Sequence, residues 1–318
     1  MKRGTPIICQ ALKCMLNRTN AAINTNMHPP VPYYCRRAGS SLPRAPNALG
    51  PVQPTAIVDS QEVKFTDGPF YEKHFDSREY LKAFAVDPST RHGFLPFVLR
   101  HLHNTFSTGD LKGKKLIGLG SGPSIYIIIS ARKCFEEIVL SDFTTGNRRE
   151  IEKWLKNDEG SFDWHPIIKF VCELEGKSRS PEEVEQKLRK IVQFLKCDVT
   201  LENPFQPEMM EPVDCITSSL CLEAACKDLE TYRRAVGSIA ALLKPGGTLM
   251  LTGILNQSYY FVGKQRFDCL VLTQSMVEET VKGQGFSIKL VDIQPATEEE
   301  KAGCDGDPFF YLVAQKTE

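Results

Sequence analysis

The sequence predicts an α/β fold built on a doubly wound, mostly parallel sheet, and three observations carry that expectation. Segments of strand character alternate with segments of helical period from Lys114 to Gln284, the pattern of repeated βα units. Gly120-Ser-Gly122-Pro123 closes the first of those strands, where a doubly wound sheet meets its ligands. Two last apolar runs, Ser287–Ile293 and Phe309–Ala314, read as an antiparallel strand pair at one sheet edge.

Taken in order, residues 1–58 hold Lys2, Arg3, Lys13, Arg18, Arg36, Arg37 and Arg44, with no acid before Asp59. Seven prolines from Pro29 to Pro54 break any long helix there. Little periodic apolar surface remains to offset the entropy of ordering, so a basic, Pro-rich, disordered extension is expected. An Arg-rich, acid-free start is also the composition of a mitochondrial transit peptide, and that alternative stays open. The folded domain is expected over 59–318. Asp76-Ser-Arg-Glu79 has capping-box spacing and starts a helix through Tyr80, Leu81 and Phe84. Phe94, Val98, Leu99, Leu102 and Phe106 mark a second helix that stops near Gly109.

Lys114–Leu119 reads as a buried strand, followed past the glycine turn by an apolar helix over Ile125–Ala131. A strand at Glu137–Ser141, a helix through Ile151, Trp154 and Leu155, and an apolar run at Ile167–Cys172 come next. Pro181 begins a helix over Glu182–Leu195. The alternation ends with a strand at Val213–Ser219, a helix at Leu229–Leu243, a strand at Thr248–Ile254 and a helix at Met276–Gln284.

Composition narrows the function. Of the 318 residues, 42% are hydrophobic, enough for a substantial core. The 39 Lys and Arg balance 39 Asp and Glu, so no overall field attracts nucleic acid or an acidic membrane, and a small-molecule substrate is expected. The 11 Cys form no CxxC pair and no His completes a zinc set, which implies reduced thiols and no metal. No apolar run approaches the roughly 18 residues of a membrane span. A cytoplasmic monomer is the expectation, or a mitochondrial protein if the extension is a transit peptide.

Gly120 and Gly122 let backbone approach a ligand at a strand's carboxyl end. Asp142 ends the second strand 20 residues after Gly122, where a carboxylate accepts two hydrogen bonds from a ribose diol. Asp198, with Val199 beside it, is placed to receive an adenine amino group. Alone, these are a tight turn, a helix cap and a turn acid. Together with Leu242-Leu-Lys-Pro-Gly-Gly247 and the terminal strand pair they point to a class I methyltransferase on a Rossmann-like fold. A dehydrogenase fits poorly, because Gly118-x-Gly120-x-Gly122 is not GxGxxG.

From about Phe65 to Lys316 the chain resembles the nicotinamide, phenylethanolamine and indolethylamine N-methyltransferases. The resemblance rests on six segments in order: Tyr71-Glu-Lys-His-Phe-Asp-Ser-Arg-Glu-Tyr80-Leu, Gly120-Ser-Gly-Pro-Ser-Ile-Tyr126, Phe162-Asp-Trp164, Leu195-Lys-Cys-Asp-Val-Thr200, Leu220-Cys-Leu-Glu-Ala-Ala-Cys226 and Ser258-Tyr-Tyr-Phe-Val-Gly263. It implies S-adenosylmethionine as cofactor, lined by Tyr80, Gly120, Tyr126, Asp142, Asn147, Asp198 and Val199, with Ser219 and Leu220 beside the reacting centre. An N-terminal helical lid would carry Tyr71 and Tyr80, whose rings enclose a sulfonium and exclude water.

The implied reaction is methylation of a small aromatic amine or pyridine by in-line displacement. Glu223 matches the position that holds the substrate amine in phenylethanolamine-type enzymes. Tyr259, Tyr260, Cys269 and the loop around Asp305 are expected to form the rest of the pocket, with Asp268 and Asp305 as alternative anchors for a cationic amine. Gly253 stands where the nicotinamide enzyme has an Asp, Cys269 where it has a Ser, and Asn256 where the phenylethanolamine enzyme has an acid. An indolethylamine-like or broad amine specificity follows from these differences. Gly118 replaces a common acid of the first strand and Ala85 a second lid tyrosine. A methyltransferase fold kept as a non-catalytic binding module is the alternative those two departures motivate.

Overall fold

The computed structural model describes residues 65–90, 92–176 and 180–317. The expected extension over 1–58, whether disordered or a transit peptide, lies outside the described residues. Seven strands form one sheet in the order β3-β2-β1-β4-β5-β9-β8. In chain order these are β1 (Gly113–Leu119), β2 (Phe135–Asp142), β3 (Val192–Lys196), β4 (Val213–Ser219), β5 (Leu243–Ile254), β8 (Phe286–Gln294) and β9 (Phe309–Lys316). The first five pair in parallel. β9 runs antiparallel to both β5 and β8. The closing strand therefore lies inside the sheet and β8 takes the edge.

Successive strand residues point to opposite faces, and the core divides accordingly. Leu116, Ile138 and Leu140 pack on one face, under α3 (Phe94–Ser107), α4 (Thr145–Lys156), α5 (His165–Leu174) and α6 (Pro181–Ile191). Ile117, Leu119 and Val139 pack on the other, under α8 (Leu229–Ala241) and α9 (Gln274–Gly283). Sequence-local signals set many of the ends. Thr144 accepts from the Asn147 amide and caps α4, Asn157 ends it in a left-handed conformation, and Asp228 caps α8.

Two expectations change, and one segment left unassigned finds its element. The run Ile125–Ala131 is not an α-helix but two short 3-10 turns, Tyr126–Ile128 and Ser130–Lys133. Ile125, Ile127, Ile128 and Ile129 are all β-branched and at most 2% exposed, so packing against the surrounding core outweighs a weak helical preference. The helix expected to reach Leu195 stops at Ile191, because Val192–Lys196 pairs in register with Ile138–Asp142. Tertiary hydrogen bonding there overrides helical period. The run at Ile167–Cys172 belongs to α5.

Before the sheet come two short helices, α1 (Gly68–His74) and α2 (Ser77–Phe84), capped by Asp67 and Asp76. A hairpin of β6 (Tyr259–Val262) and β7 (Gln265–Asp268) follows β5. These two features, together with the four-residue α7 (Leu222–Ala225) that follows β4, surround the carboxyl ends of β1 and β4.

Candidate active site

The chain leaves β1 toward β2 and β3 on one side and resumes at β4 on the other. A crevice between the carboxyl ends of β1 and β4 follows from that reversal. Gly120 and Gly122 sit there with φ of +63° and +62°, a region that side chains with a Cβ rarely adopt. A Cβ on Gly120 would overlap the Cys221 thiol, whereas nothing lies within 4 Å of one on Gly122. The turn is therefore packed beneath and open above, as a cradle for a ligand requires.

Asp142 is 7% exposed at the end of β2. Its Oδ1 accepts from the Thr144 amide at 2.9 Å, the Thr144 hydroxyl at 3.1 Å and Asn147 Nδ2 at 2.9 Å. Oδ2 accepts from the Gly122 amide at 2.9 Å, which ties the carboxylate to the glycine turn. Burial raises the carboxyl above its ordinary range and these bonds oppose the rise. Four bonds leave Oδ2 with acceptor capacity for a hydroxyl in the crevice. Asp198 uses Oδ1 for the amide and hydroxyl of Thr200. Val199 is buried on the second face of the core.

Ser219 ends β4 and Leu220 follows it. The Ser219 hydroxyl accepts from Tyr126 Oη at 2.8 Å and pairs with the Thr252 hydroxyl. Leu220 takes φ of +53° and donates its amide to the Thr252 carbonyl at 3.0 Å. That left-handed residue turns the chain sharply into α7, a strained conformation of the kind found at ligand sites.

Glu223, on α7, is 6% exposed, and its Oε1 has no hydrogen-bond partner among the described residues. Burial pushes its carboxyl up to about 7, against the backbone amides of Glu223 and Ile254. A Cβ on Gly253 would lie 2.7 Å from that oxygen. Glu223 thus fills the space into which a strand-β5 side chain would project. A small cavity beside it is lined by Ser218, Cys221, Tyr232, Leu251 and Phe310, among others.

The lid and the hairpin close the crevice with aromatic rings. Tyr71 and Tyr260 share a hydrogen bond of 3.0 Å between hydroxyls, and both rings pack on Phe267. Phe75 joins Tyr80, and Phe84 stacks on Tyr80 at 5.2 Å and approaches Tyr126 at 5.5 Å. Burial raises the hydroxyl pKa of Tyr71, Tyr80, Tyr126 and Tyr260 alike, so all four stay neutral donors.

Tyr259 is not part of this box. Strand alternation turns it away from Tyr260, and its ring lies under Arg266 at 4.0 Å and beside the exposed Phe261. Asp305 accepts from the amides of Ser258 and Tyr259, at 2.8 and 3.1 Å, and from the Ser258 hydroxyl. Burial would raise its carboxyl, but those bonds hold it below the ordinary range. Its geometry positions the hairpin rather than presenting a free anchor. Asp268 is engaged by Arg266. Cys269 is buried at 5% exposure, with its amide on the Ser258 carbonyl.

Sequence reasoning missed Phe267, Phe75 and Thr252. Phe267 had a signal, since Phe267 and Tyr260 fall opposite each other across Gly263-Lys264 in a hairpin register. Thr252 had none, because only the adjacency of β4 and β5 brings it to Ser219. The two departures are packed shut. A Cβ on Gly118 would meet Leu140 at 2.7 Å and Ile127 at 3.0 Å, so apolar core fills the space beside that position. Ala85 packs against the core, and Phe84 supplies the ring next to Tyr80.

Sheet order, glycine turn and strand-end carboxylate define a class I methyltransferase fold. Its likeness to solved structures includes the magnesium protoporphyrin IX methyltransferase of Synechocystis with bound S-adenosylhomocysteine, at 12% identity and a TM-score of 0.50, covering 79% of this chain and all of that one. The model of the NNMT/PNMT/TEMT family matches residues 62–317. Indolethylamine N-methyltransferase of Oryctolagus cuniculus is 45% identical over 79% of this chain and 97% of its own length. Nicotinamide N-methyltransferase of Sus scrofa is 44% identical over 80% and 98%, and phenylethanolamine N-methyltransferase of the same species 35% over 77% and 89%. The chain belongs to the NNMT/PNMT/TEMT family of S-adenosylmethionine-dependent N-methyltransferases.

Proposed function

We propose that this protein methylates the nitrogen of a small aromatic amine, with Glu223 facing that nitrogen. The observation that carries the reading is the buried Glu223 carboxylate with a partnerless Oε1, beside the residues that end β4. A carboxylate with one oxygen left unpaired in so dry a place costs stability, a cost offset when a cationic amine fills the site. S-adenosylmethionine supplies an electrophilic methyl on a sulfonium, a leaving group that needs no acid catalysis.

The chain's own residues would hold that cofactor as follows. Asp142 and Asn147 take the ribose side, Asp198 and Val199 the adenine side, and Gly120 and Gly122 the backbone approach. Tyr71, Tyr80, Tyr126 and Tyr260 present neutral rings and hydroxyls around the sulfonium. Ser219 and Leu220 align the acceptor nitrogen with the methyl carbon. In the transfer the N–C bond would form as the C–S bond breaks, with the electron pair left on sulfur. Glu223 accepts the proton that a primary or secondary amine gives up, so the nitrogen lone pair is available for attack.

Gly253 favours an amine over a carboxamide substrate, because an acid at 253 and Glu223 compete for one space. Tryptamine, phenylethanolamine and nicotinamide compared by kcat/KM, with Glu223→Gln alongside, test this. Turnover of the amines, lost by at least tenfold in the variant, is expected. Preference for nicotinamide with an unaffected variant sinks the amine reading. Cys134, Cys197, Cys215, Cys221, Cys226, Cys269 and Cys304 carry free thiols, which supports a reducing compartment, the cytoplasm or, if residues 1–58 direct import, the mitochondrial matrix. No described helix is long and apolar enough to cross a membrane. A monomer acting on free small molecules completes the reading, and sedimentation velocity checks it.

A further inference from the structure

Ser77 begins α2 in the lid and is 7% exposed. Its hydroxyl donates to Asn147 Oδ1 at 2.7 Å, across 70 residues of sequence. Asn147, 4% exposed, turns its other amide atom to Asp142, with Nδ2 donating to Oδ1 at 2.9 Å. Asp142 in turn receives the Gly122 amide on Oδ2. A carboxylate accepts only, so Asn147 must face it with nitrogen and Ser77 with oxygen. The orientation of the amide is thereby fixed from both ends.

Gly146 makes the seat, since a Cβ there would stand 3.0 Å from the Ser77 hydroxyl. Two other contacts hold the lid to α4, the Thr145 amide on Glu72 at 2.9 Å and Arg78 with Glu150 at 2.6 Å. Neither of these contacts involves Asn147 or Asp142.

We propose that Ser77 is a positioning residue that couples the seating of the lid to cofactor binding, through the buried chain Ser77–Asn147–Asp142–Gly122. This rests on the reading that Asp142 holds the cofactor. With the lid seated, the Ser77 hydroxyl fixes the Asn147 amide. Asn147 and Thr144 then occupy Oδ1, and the spare capacity of Oδ2 faces the crevice. Without that hydroxyl, Asn147 Oδ1 is left without its donor in a dry site, and the amide turns or draws away from Asp142. Coupling of this kind is reciprocal, so a ligand that engages Asp142 tightens the lid in return.

The test is calorimetric titration of the full chain with S-adenosylhomocysteine, with hydrogen exchange of the α2 amides measured with and without it. Ser77→Ala is expected to weaken binding about fivefold, the effect of one buried hydrogen bond, and to abolish the added protection of α2 by ligand. Ser77→Thr, which keeps the hydroxyl, is expected to restore both. Asp142→Ala serves as reference. If it loses affinity while Ser77→Ala binds as the unmodified protein does, the coupling is wrong and the cofactor site stands. If Asp142→Ala also binds normally, the site reading fails and takes the coupling with it.

Discussion

In the proposed function Glu223 serves binding at the expense of folding, and pH separates the two. Its carboxyl ionises near 4.5 when exposed and near 7 in the folded protein. The folded state therefore holds a proton that the unfolded state releases between those values, and stability declines as pH rises through that window. The full penalty above pH 7 is about 3 kcal/mol on the scale of 1.36 kcal/mol per pH unit. Glu223→Gln should be more stable than the parent at pH 8 and equal to it at pH 4, as urea titrations at both values would show. The same substitution should flatten the rise of amine kcat/KM with pH near 7, because the ionised form accepts the proton. Equal pH profiles in parent and variant would remove Glu223 from the proton path. For Asp142→Ala, affinity for S-adenosylhomocysteine is expected to drop more than tenfold, a loss above about 1.4 kcal/mol. Gly120→Ala should lose as much, since its φ of +63° disfavours any Cβ and that atom would overlap Cys221.

At the scale of elements, the site depends on two short pieces with little stability of their own. Helix α1 has only seven residues, and helices of that length are not stable alone in water. A two-stranded hairpin is marginal in the same way. Each is completed by the other through the Tyr71–Tyr260 hydroxyl pair and the shared face of Phe267. Tyr71→Phe should keep the ring packing and lose the hydroxyl bond. Faster exchange of α1 amides and a higher KM for S-adenosylmethionine are expected, with little change in melting temperature. A large fall in melting temperature with an unchanged KM would make the pair structural instead. Asp305 belongs to the same assembly, because its three bonds to Ser258 and Tyr259 set the strand that carries Tyr260.

For the molecule as a whole, both faces of the sheet are covered by helices drawn from residues after Phe65, and the family match begins at residue 62. Removal of residues 1–58 should leave melting temperature and S-adenosylhomocysteine affinity unchanged, and a fall in either would show that the extension contributes to the fold. What the sequence by itself determined is the α/β class, most strands and helices, the glycine turn and Asp142, since periodicity, caps and glycine spacing are local and survive without a fold. It also marked Glu223 and Tyr260 through the family motifs. The tertiary structure decided β3, where pairing with β2 overrode helical period, and the 3-10 turns of Tyr126–Lys133, where burial on all sides overrode the amphipathic rule. It alone could turn Tyr259 outward, commit Asp305 to the hairpin, and bring Thr252 to Ser219 and Ser77 to Asn147. Those outcomes depend on which segments distant in sequence become neighbours, and spacing along the chain carries no record of that.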